Sequence, residues 1–443
     1  MRRSDMPHLR GRVIAAKRLS WAFIAVYAAG VYAAGAAPPG DEALVEAKML
    51  TAEASFWAAD YVAAELAFYE TLMARPDDAR AHYYLGRICQ SRGLRGKAAE
   101  HYEAAAGPAY PETYFFLGLI YHEEGRLEDA EARYRRYMEF YPDDAAAWFN
   151  LGVTLAAAGR PTEAEEAYLK VLTEDPRSVA ALHNLAVLYH RRGDFGRAVF
   201  FWQHLLEVAP ANADAYYGLG LADYYAGDYT EAAAAFNQGT RLEPLQSRFF
   251  YQSGRVYSEL KKYDLAVGLY ERAFELGYDE GEVAEGMGLA YEGWRRYDKA
   301  MPLLRKAAEL KGDEAGRAYA ALGRIEREMG LSGAALADFY EAAARLEDDA
   351  EVHNQIGELY LEADLATWAA EAFERATTLE PSDLDFNYNL AVARERSEPS
   401  RAAEQWRRYL ALAEGVPGEK RRAEEARERL ELLLEEKNGE ATP

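Results

Sequence analysis

The chain has 443 residues, half of them apolar and 28% charged, a composition typical of a folded protein. Its 51 Lys and Arg against 74 Asp and Glu give a formal net charge of −23. This charge argues against nucleic acid as a partner, because phosphate binding needs clustered basic side chains. A single cysteine, Cys89, excludes an intramolecular disulfide and a cysteine-based zinc site.

Residues 1–36 have the layout of a secretory signal. Residues 1–18 carry six basic side chains against one acid, and residues 19–37 form an uncharged apolar run with a possible cleavage site after Ala36. Nineteen uncharged residues also just span a bilayer, so a cleaved signal peptide and an uncleaved membrane anchor both stay open. Both predict export across a bacterial inner membrane, with the product periplasmic or anchored there, because basic residues stay in the cytoplasm.

From residue 45 onward, the sequence repeats about every 34 residues. Three markers share this period. Glycines recur at Gly86, Gly118, Gly152, Gly220, Gly254, Gly288, Gly323 and Gly357. Alanines recur at Ala64, Ala98, Ala130, Ala164, Ala198, Ala232, Ala266, Ala300, Ala335, Ala369 and Ala403. Prolines recur at Pro76, Pro142, Pro176, Pro210, Pro244 and Pro381.

Segment 145–178 indicates that each repeat is a pair of helices. Trp148, Leu151 and Leu155 lie on one face of a first helix, which Gly159 ends. A second apolar face follows at helical spacing. A lone helical hairpin cannot bury these faces, so neighbouring repeats must stack.

This pattern resembles the tetratricopeptide repeat, W-x-x-L-G-x-x-Y…A-x-x-x-F…P. The matching residues in one repeat are Trp148, Leu151, Gly152, Ala164, Tyr168 and Pro176. The resemblance implies an all-α fold, an α-solenoid of about eleven helix-turn-helix repeats coiled into a right-handed superhelix. It also implies a concave groove that binds partners.

One repeat, 281–315, departs from the pattern. Its four glycines are expected to weaken the first helix, and Pro302 is expected to interrupt the second, which predicts a bend or soft joint. The predicted organisation is a signal or anchor (1–36), a linker (37–44), a front array (45–280), the atypical repeat (281–315), a rear array (316–414), and a capping helix with a tail (415–443).

No arrangement of residues indicates a catalytic, metal or cofactor site. The eight histidines are scattered, and the metalloprotease, phosphate-loop and nucleophile-elbow motifs do not occur. We therefore expect neither enzymatic activity nor a cofactor.

In the family that the sequence resembles, repeat positions two, five, six, nine, twelve and thirteen of the first helix line the groove. This correspondence predicts an apolar and aromatic surface with interspersed amides, which suits an extended peptide or a partner helix. The predicted groove residues are Phe115, Phe116, Leu119, Phe149, Asn150, Val153, His183, Asn184, Val187, Tyr217, Leu221, Tyr224, Tyr251, Gln252 and Arg255.

The basic side chains of the groove positions can be compared with those that bind acidic ligands in the family. No repeat pairs Lys or Arg at position five with Asn at position nine, so the cationic clamp that some members use for a terminal carboxylate is not expected. In the rear array, Arg317, Arg324 and Arg327 share one helix face and could hold an acidic ligand or form surface ion pairs.

The sequence thus predicts a scaffold of the bacterial cell envelope that binds a segment of another envelope protein. A carbohydrate-binding accessory of polysaccharide export is the first alternative, because tyrosine-rich grooves stack on sugar rings. An accessory subunit of a separately encoded enzyme is the second alternative.

Overall fold

The computed structural model describes residues 41–439, and within this range it contains 23 α-helices and no β-strand. The described chain forms two compact units, an N-terminal unit that ends at Pro210 and a C-terminal unit that begins at Ala211. The predicted all-α fold of stacked helical hairpins is confirmed. Residues 1–36, on which the signal or anchor prediction falls, lie outside the described residues.

The N-terminal unit consists of ten helices in five hairpins. They are α1 (Asp41–Trp57), α2 (Tyr61–Ala74), α3 (Ala79–Ser91), α4 (Arg95–Ala105), α5 (Glu112–Glu123), α6 (Leu127–Met138), α7 (Ala145–Ala157), α8 (Pro161–Glu174), α9 (Val179–Arg191) and α10 (Phe195–Val208). Helix α1 begins at Asp41, so the last four residues of the predicted linker are helical.

The C-terminal unit consists of six hairpins and a final helix. They are α11 (Ala213–Ala226), α12 (Tyr229–Leu242), α13 (Ser247–Glu259), α14 (Tyr263–Glu275), α15 (Glu280–Gly293), α16 (Tyr297–Lys311), α17 (Gly316–Glu328), α18 (Ser332–Ala343), α19 (Ala350–Glu362), α20 (Ala366–Leu379), α21 (Leu384–Ser397), α22 (Pro399–Ala413) and α23 (Lys420–Gly439).

Each hairpin closes around a small residue of its first helix. In the repeat 145–178, a Cβ atom added to Gly152 of α7 would lie 2.6 Å from the ring of Tyr168 in α8. The glycine therefore lets the ring rest directly on the backbone of the first helix. Gly159, at φ +72°, then reverses the chain in the left-handed conformation that glycine adopts at little cost.

The prediction that Pro302 interrupts a helix is wrong. Helix α16 continues from Tyr297 to Lys311 with Pro302 inside it. A proline leaves the carbonyl four residues earlier without its helical partner, here that of Asp298. Pro302 and Asp298 are both exposed. The helix tolerates the proline because water can reach that face.

The glycines of the same repeat do not interrupt its first helix either, because α15 is continuous from Glu280 to Gly293. Its residues and those of α16 belong to one apolar core that extends from Tyr251 to Ile325. Whether this repeat is a soft joint is a question of dynamics and stays a prediction.

The last helix, α23, lies against the final hairpin. Ala423 and Ala426 are buried against Trp406, Tyr409 and Ala413 of α22. The apolar face of the last hairpin is thereby covered. None of the helices within residues 41–439 is both long and apolar enough to cross a membrane.

Candidate functional site

The predicted groove residues of the N-terminal unit differ in exposure. Phe115 is fully buried between Tyr134 and Tyr137, and Phe116 stacks on Tyr102 with 5.1 Å between the ring centroids. These two phenylalanines therefore pack between helices and offer little surface to a partner. The other predicted residues are half-buried, namely Leu119, Phe149, Asn150, Val153, His183, Asn184 and Val187.

The two asparagines already bond within the protein. Asn150 Nδ2 donates to the carbonyl of Ala146, one turn earlier in α7, at 2.7 Å. Asn184 hydrogen-bonds the Tyr168 hydroxyl, an interaction that lowers the pKa of Tyr168, although burial raises it more. The Asn150 amide thus stabilises α7, and the Asn184 amide links α9 to α8, before any partner binds.

In the C-terminal unit, four of the predicted residues form one connected network, namely Tyr217, Tyr224, Gln252 and Arg255, and the half-buried Leu221 belongs to the same part of α11. Gln252 is buried and donates from Nε2 to the Tyr217 hydroxyl at 3.3 Å. Its Oε1 accepts from Arg255 at 2.9 Å, and that guanidinium lies 4.5 Å from the ring centroid of Tyr224. Tyr251 is also buried and stacks on Tyr278 at 4.3 Å.

A cavity of about 500 Å³ opens beside this network. It extends over the first helices of four successive repeats, α11, α13, α15 and α17. Its lining is rich in tyrosine and in charged side chains. The lining residues are Tyr224, Tyr251, Arg255, Ser258, Glu259, Tyr263, Tyr270, Gly286, Leu289, Glu292, Gly293, Arg295, Tyr297, Arg317, Arg324, Ile325 and Glu328.

Three of the predicted groove residues, Tyr224, Tyr251 and Arg255, line this cavity. The other twelve do not. Arg317 and Arg324, named from the sequence as a possible holder of an acidic ligand, line the cavity as well. The rest of the lining is missed by the sequence, and half of it belongs to the atypical repeat, whose first helix is expected to be weak. The signal that could have found it is a pair of glycines, Gly286 and Gly293, at groove positions six and thirteen of one helix.

These two glycines bring tyrosine rings against the helix backbone. A Cβ atom at Gly286 would lie 2.7 Å from the Tyr270 ring, and one at Gly293 would lie 2.7 Å from the Tyr263 ring. Side chains at either position would displace the rings and occupy the space in front of them. The glycines therefore help to create the cavity and place tyrosines in its wall.

The charges near the cavity are mostly paired between successive first helices. Arg324 forms two bonds to the Glu292 carboxylate, at 2.8 and 3.0 Å, and Arg317 pairs with the fully buried Glu285. Lys311 Nζ lies 3.0 Å from the same Glu285 carboxylate and 2.9 Å from that of Glu282. Burial opposes ionisation of Glu282, yet bonds from Lys311 and Tyr251 keep its pKa below the usual value.

Of the two uses that the sequence left open for Arg317, Arg324 and Arg327, an acidic-ligand site or surface ion pairs, the structure shows ion pairs. Arg317 and Arg324 line the cavity, but Arg327 pairs with Glu358 and Glu362 of α19. All three are engaged in ion pairs. Within residues 41–439, no group of three or more His, Cys, Asp or Glu side chains is arranged to hold a metal ion.

Helical hairpins that stack on their neighbours and bury an apolar cluster in each part of the array define a helical-repeat protein of the α-solenoid class. Models of the tetratricopeptide repeat match residues 117–179, 155–219, 217–280 and 251–315. Residues 117–315 therefore consist of tetratricopeptide repeats, as the sequence pattern predicts. Members of this family are generally non-enzymatic scaffolds, and these repeats support a role in protein interaction.

Several solved structures are similar to the chain. Yeast Tom70 is 15% identical, with a TM-score of 0.48, over 91% of this chain and 98% of that one. MamA is 27% identical, with a TM-score of 0.36, over 39% and 93%. PilF of Pseudomonas aeruginosa is 20% identical, with a TM-score of 0.38, over 46% and 92%. A comparison with curated proteins gave no match.

Proposed function

We propose that the protein is an exported scaffold of the bacterial envelope and that the cavity of the C-terminal unit binds an extended segment of another envelope protein. The observation that carries this proposal is the convergence of side chains from four successive first helices on one cavity of about 500 Å³. A segment crossing those helices would contact each repeat in turn.

The chemistry of the lining supports a peptide ligand. Five tyrosines, Tyr224, Tyr251, Tyr263, Tyr270 and Tyr297, line the cavity. Tyrosine gives a large contact area for little loss of side-chain entropy, and its hydroxyl group can both donate and accept. Together with the charged groups among them, these rings can bind both side chains and backbone of an extended chain.

The proposed binding is tested by capture from solubilised envelope with the full chain and two variants. Leu289→Arg places a long charged side chain in the cavity, whereas Leu265→Arg changes an exposed leucine of α14 that does not line it. We expect a partner that the wild type and Leu265→Arg recover equally and that Leu289→Arg loses. Equal recovery by both variants would place the binding surface elsewhere.

The proposed location is tested independently of binding. Alkaline phosphatase fused after Trp57 should be active, because the enzyme matures only outside the cytoplasm. The mass of the purified protein then distinguishes the two forms of export, since a cleaved signal gives a chain that starts at Ala37. An inactive fusion would contradict export.

Carbohydrate binding is the second candidate, and the tyrosines of the cavity favour it. Glu259 accepts from the Tyr224 hydroxyl at 3.2 Å, so rings and acids lie side by side as they do around sugars. Binding of the full chain to an immobilised polysaccharide, lost in Leu289→Arg, would favour this function over peptide binding.

A further inference from the structure

Arg255 differs from the other inward-lying arginines of the cavity. Arg317 and Arg324 each pair with a glutamate of the preceding first helix. Arg255 is half-buried, and no carboxylate oxygen of the described residues lies within 4 Å of its guanidinium. Glu259, one turn further along α13, accepts from the Tyr224 hydroxyl instead.

The guanidinium is held in place without a neutralising charge. Its Nη1 donates to Gln252, the guanidinium also hydrogen-bonds the Tyr225 hydroxyl, and the ring of Tyr224 lies 4.5 Å away. Gln252 in turn donates to Tyr217, so a buried amide fixes the orientation of Arg255. A guanidinium has five N–H donors in one plane, and burying its charge is costly unless an anion accepts from them.

We propose that the cavity selects a segment bearing a carboxylate, which Arg255 binds through the N–H donors that face the cavity. This inference deepens the proposed function and depends on it. A carboxylate matches the planar fork of a guanidinium with two parallel bonds. It also brings only one negative charge, which Glu259, Glu292 and Glu328 in the lining repel less than the two charges of a phosphate.

The test begins with a display library of random twelve-residue peptides, selected on the full chain. Three proteins are used: the wild type, Arg255→Met, and Arg272→Met as a matched control. Arg272 lies on α14, is exposed, pairs with Glu275 and does not line the cavity. We expect wild type and Arg272→Met to enrich peptides with Asp or Glu at one position, and Arg255→Met to lose that enrichment.

The enriched peptide is then synthesised in three forms: unchanged, with the acidic residue changed to its amide, and with an amidated C-terminus. We expect the side-chain amide to weaken binding to the wild type at least tenfold and to change binding to Arg255→Met less than twofold. Loss with the amidated C-terminus instead would assign the carboxylate to the chain end. Because the peptide is varied on wild-type protein, the result does not depend on folding of the variant.

Two results would contradict the proposals, and they differ. Selected peptides without acidic enrichment, bound equally by wild type and Arg255→Met, would overturn the role of Arg255 and leave peptide binding intact. Failure of the wild type to select any peptide would overturn the proposed peptide function and the carboxylate selection with it.

Discussion

At the scale of single residues, the hairpins depend on contacts between a helix backbone and one bulky side chain. The pairs recur at equal spacing, as in Gly152 with Tyr168 and Gly254 with Tyr270. The same contact at Gly286 and Gly293 joins different repeats and shapes the cavity. Glycine therefore lets the two helices of a hairpin pack closely in most repeats, and in one repeat it also shapes the candidate site.

Gly152→Ala should destabilise the protein by about 1–3 kcal/mol, because the added methyl group would overlap the Tyr168 ring. Gly268→Ala is the matched control. It lies inside α14, is exposed, and an added Cβ atom would meet nothing within 4 Å. The control should gain about 0.5–1 kcal/mol from helix propensity. Urea unfolding followed by circular dichroism measures both, and equal effects would contradict the packing account.

Asp223 should make stability depend on pH. Burial, with the nearby Asp228 and Glu231 carboxylates, raises its pKa to about 6. An unfolded aspartate has a pKa of about 3.9, so the folded state holds the proton more tightly, and ionisation costs stability as pH rises from about 4 to about 6. Asp223→Asn cannot ionise. Its Tm should exceed that of wild type by about 2–4 °C at pH 8, and by less at pH 5.5. The same Tm difference at both pH values would contradict this explanation.

At the scale of elements, two helices show how packing against neighbouring helices stabilises a helix. Helix α16 stays continuous through Pro302 because its apolar face is anchored in the core, where Leu304 and Ala307 are fully buried. Helix α23 is mostly charged, and it covers the last hairpin through a few alanines and leucines. The intrinsic helix preference of the residues does not by itself account for either helix.

Pro302→Ala should stabilise α16 by about 1–3 kcal/mol, because alanine restores an N–H donor for the Asp298 carbonyl. If residues 281–315 form a soft joint, their amides exchange faster than those of α7–α10 in the wild type, and the variant narrows the difference. Hydrogen exchange measured by mass spectrometry gives the exchange rates of both segments in the wild type and in the variant. If residues 281–315 exchange as slowly as α7–α10 in the wild type, the prediction of a soft joint is wrong.

Deleting residues 415–443 should loosen the last hairpin, because Trp406 and Tyr409 are fully buried and α23 provides part of that cover. We expect a loss of about 2–4 kcal/mol, from the apolar contacts of two alanines and two leucines. Amide exchange in α21 and α22 should accelerate, while α1–α10 serve as the internal control. Unchanged exchange in α22 would show that the last hairpin needs no cap.

At the scale of the whole molecule, the period of the sequence predicts the fold better than it predicts the site. A repeat of about 34 residues determines helix pairs and their stacking, because each hairpin must bury the same faces. The period predicts groove positions as well, but not which repeats leave space between side chains. Phe115 fills its own hairpin, whereas Gly286 leaves room for a ring and a cavity. That difference depends on contacts between repeats, which spacing alone does not encode.

The central claim is that the cavity of the C-terminal unit binds a segment of another protein. The most direct test is photo-crosslinking in the producing cells, with benzoylphenylalanine in place of Leu289 in the cavity or of Leu265 on the exposed face of α14. The account predicts a covalent adduct with a partner protein from position 289 and none from position 265. An adduct from position 265 alone, or from neither position, would contradict it.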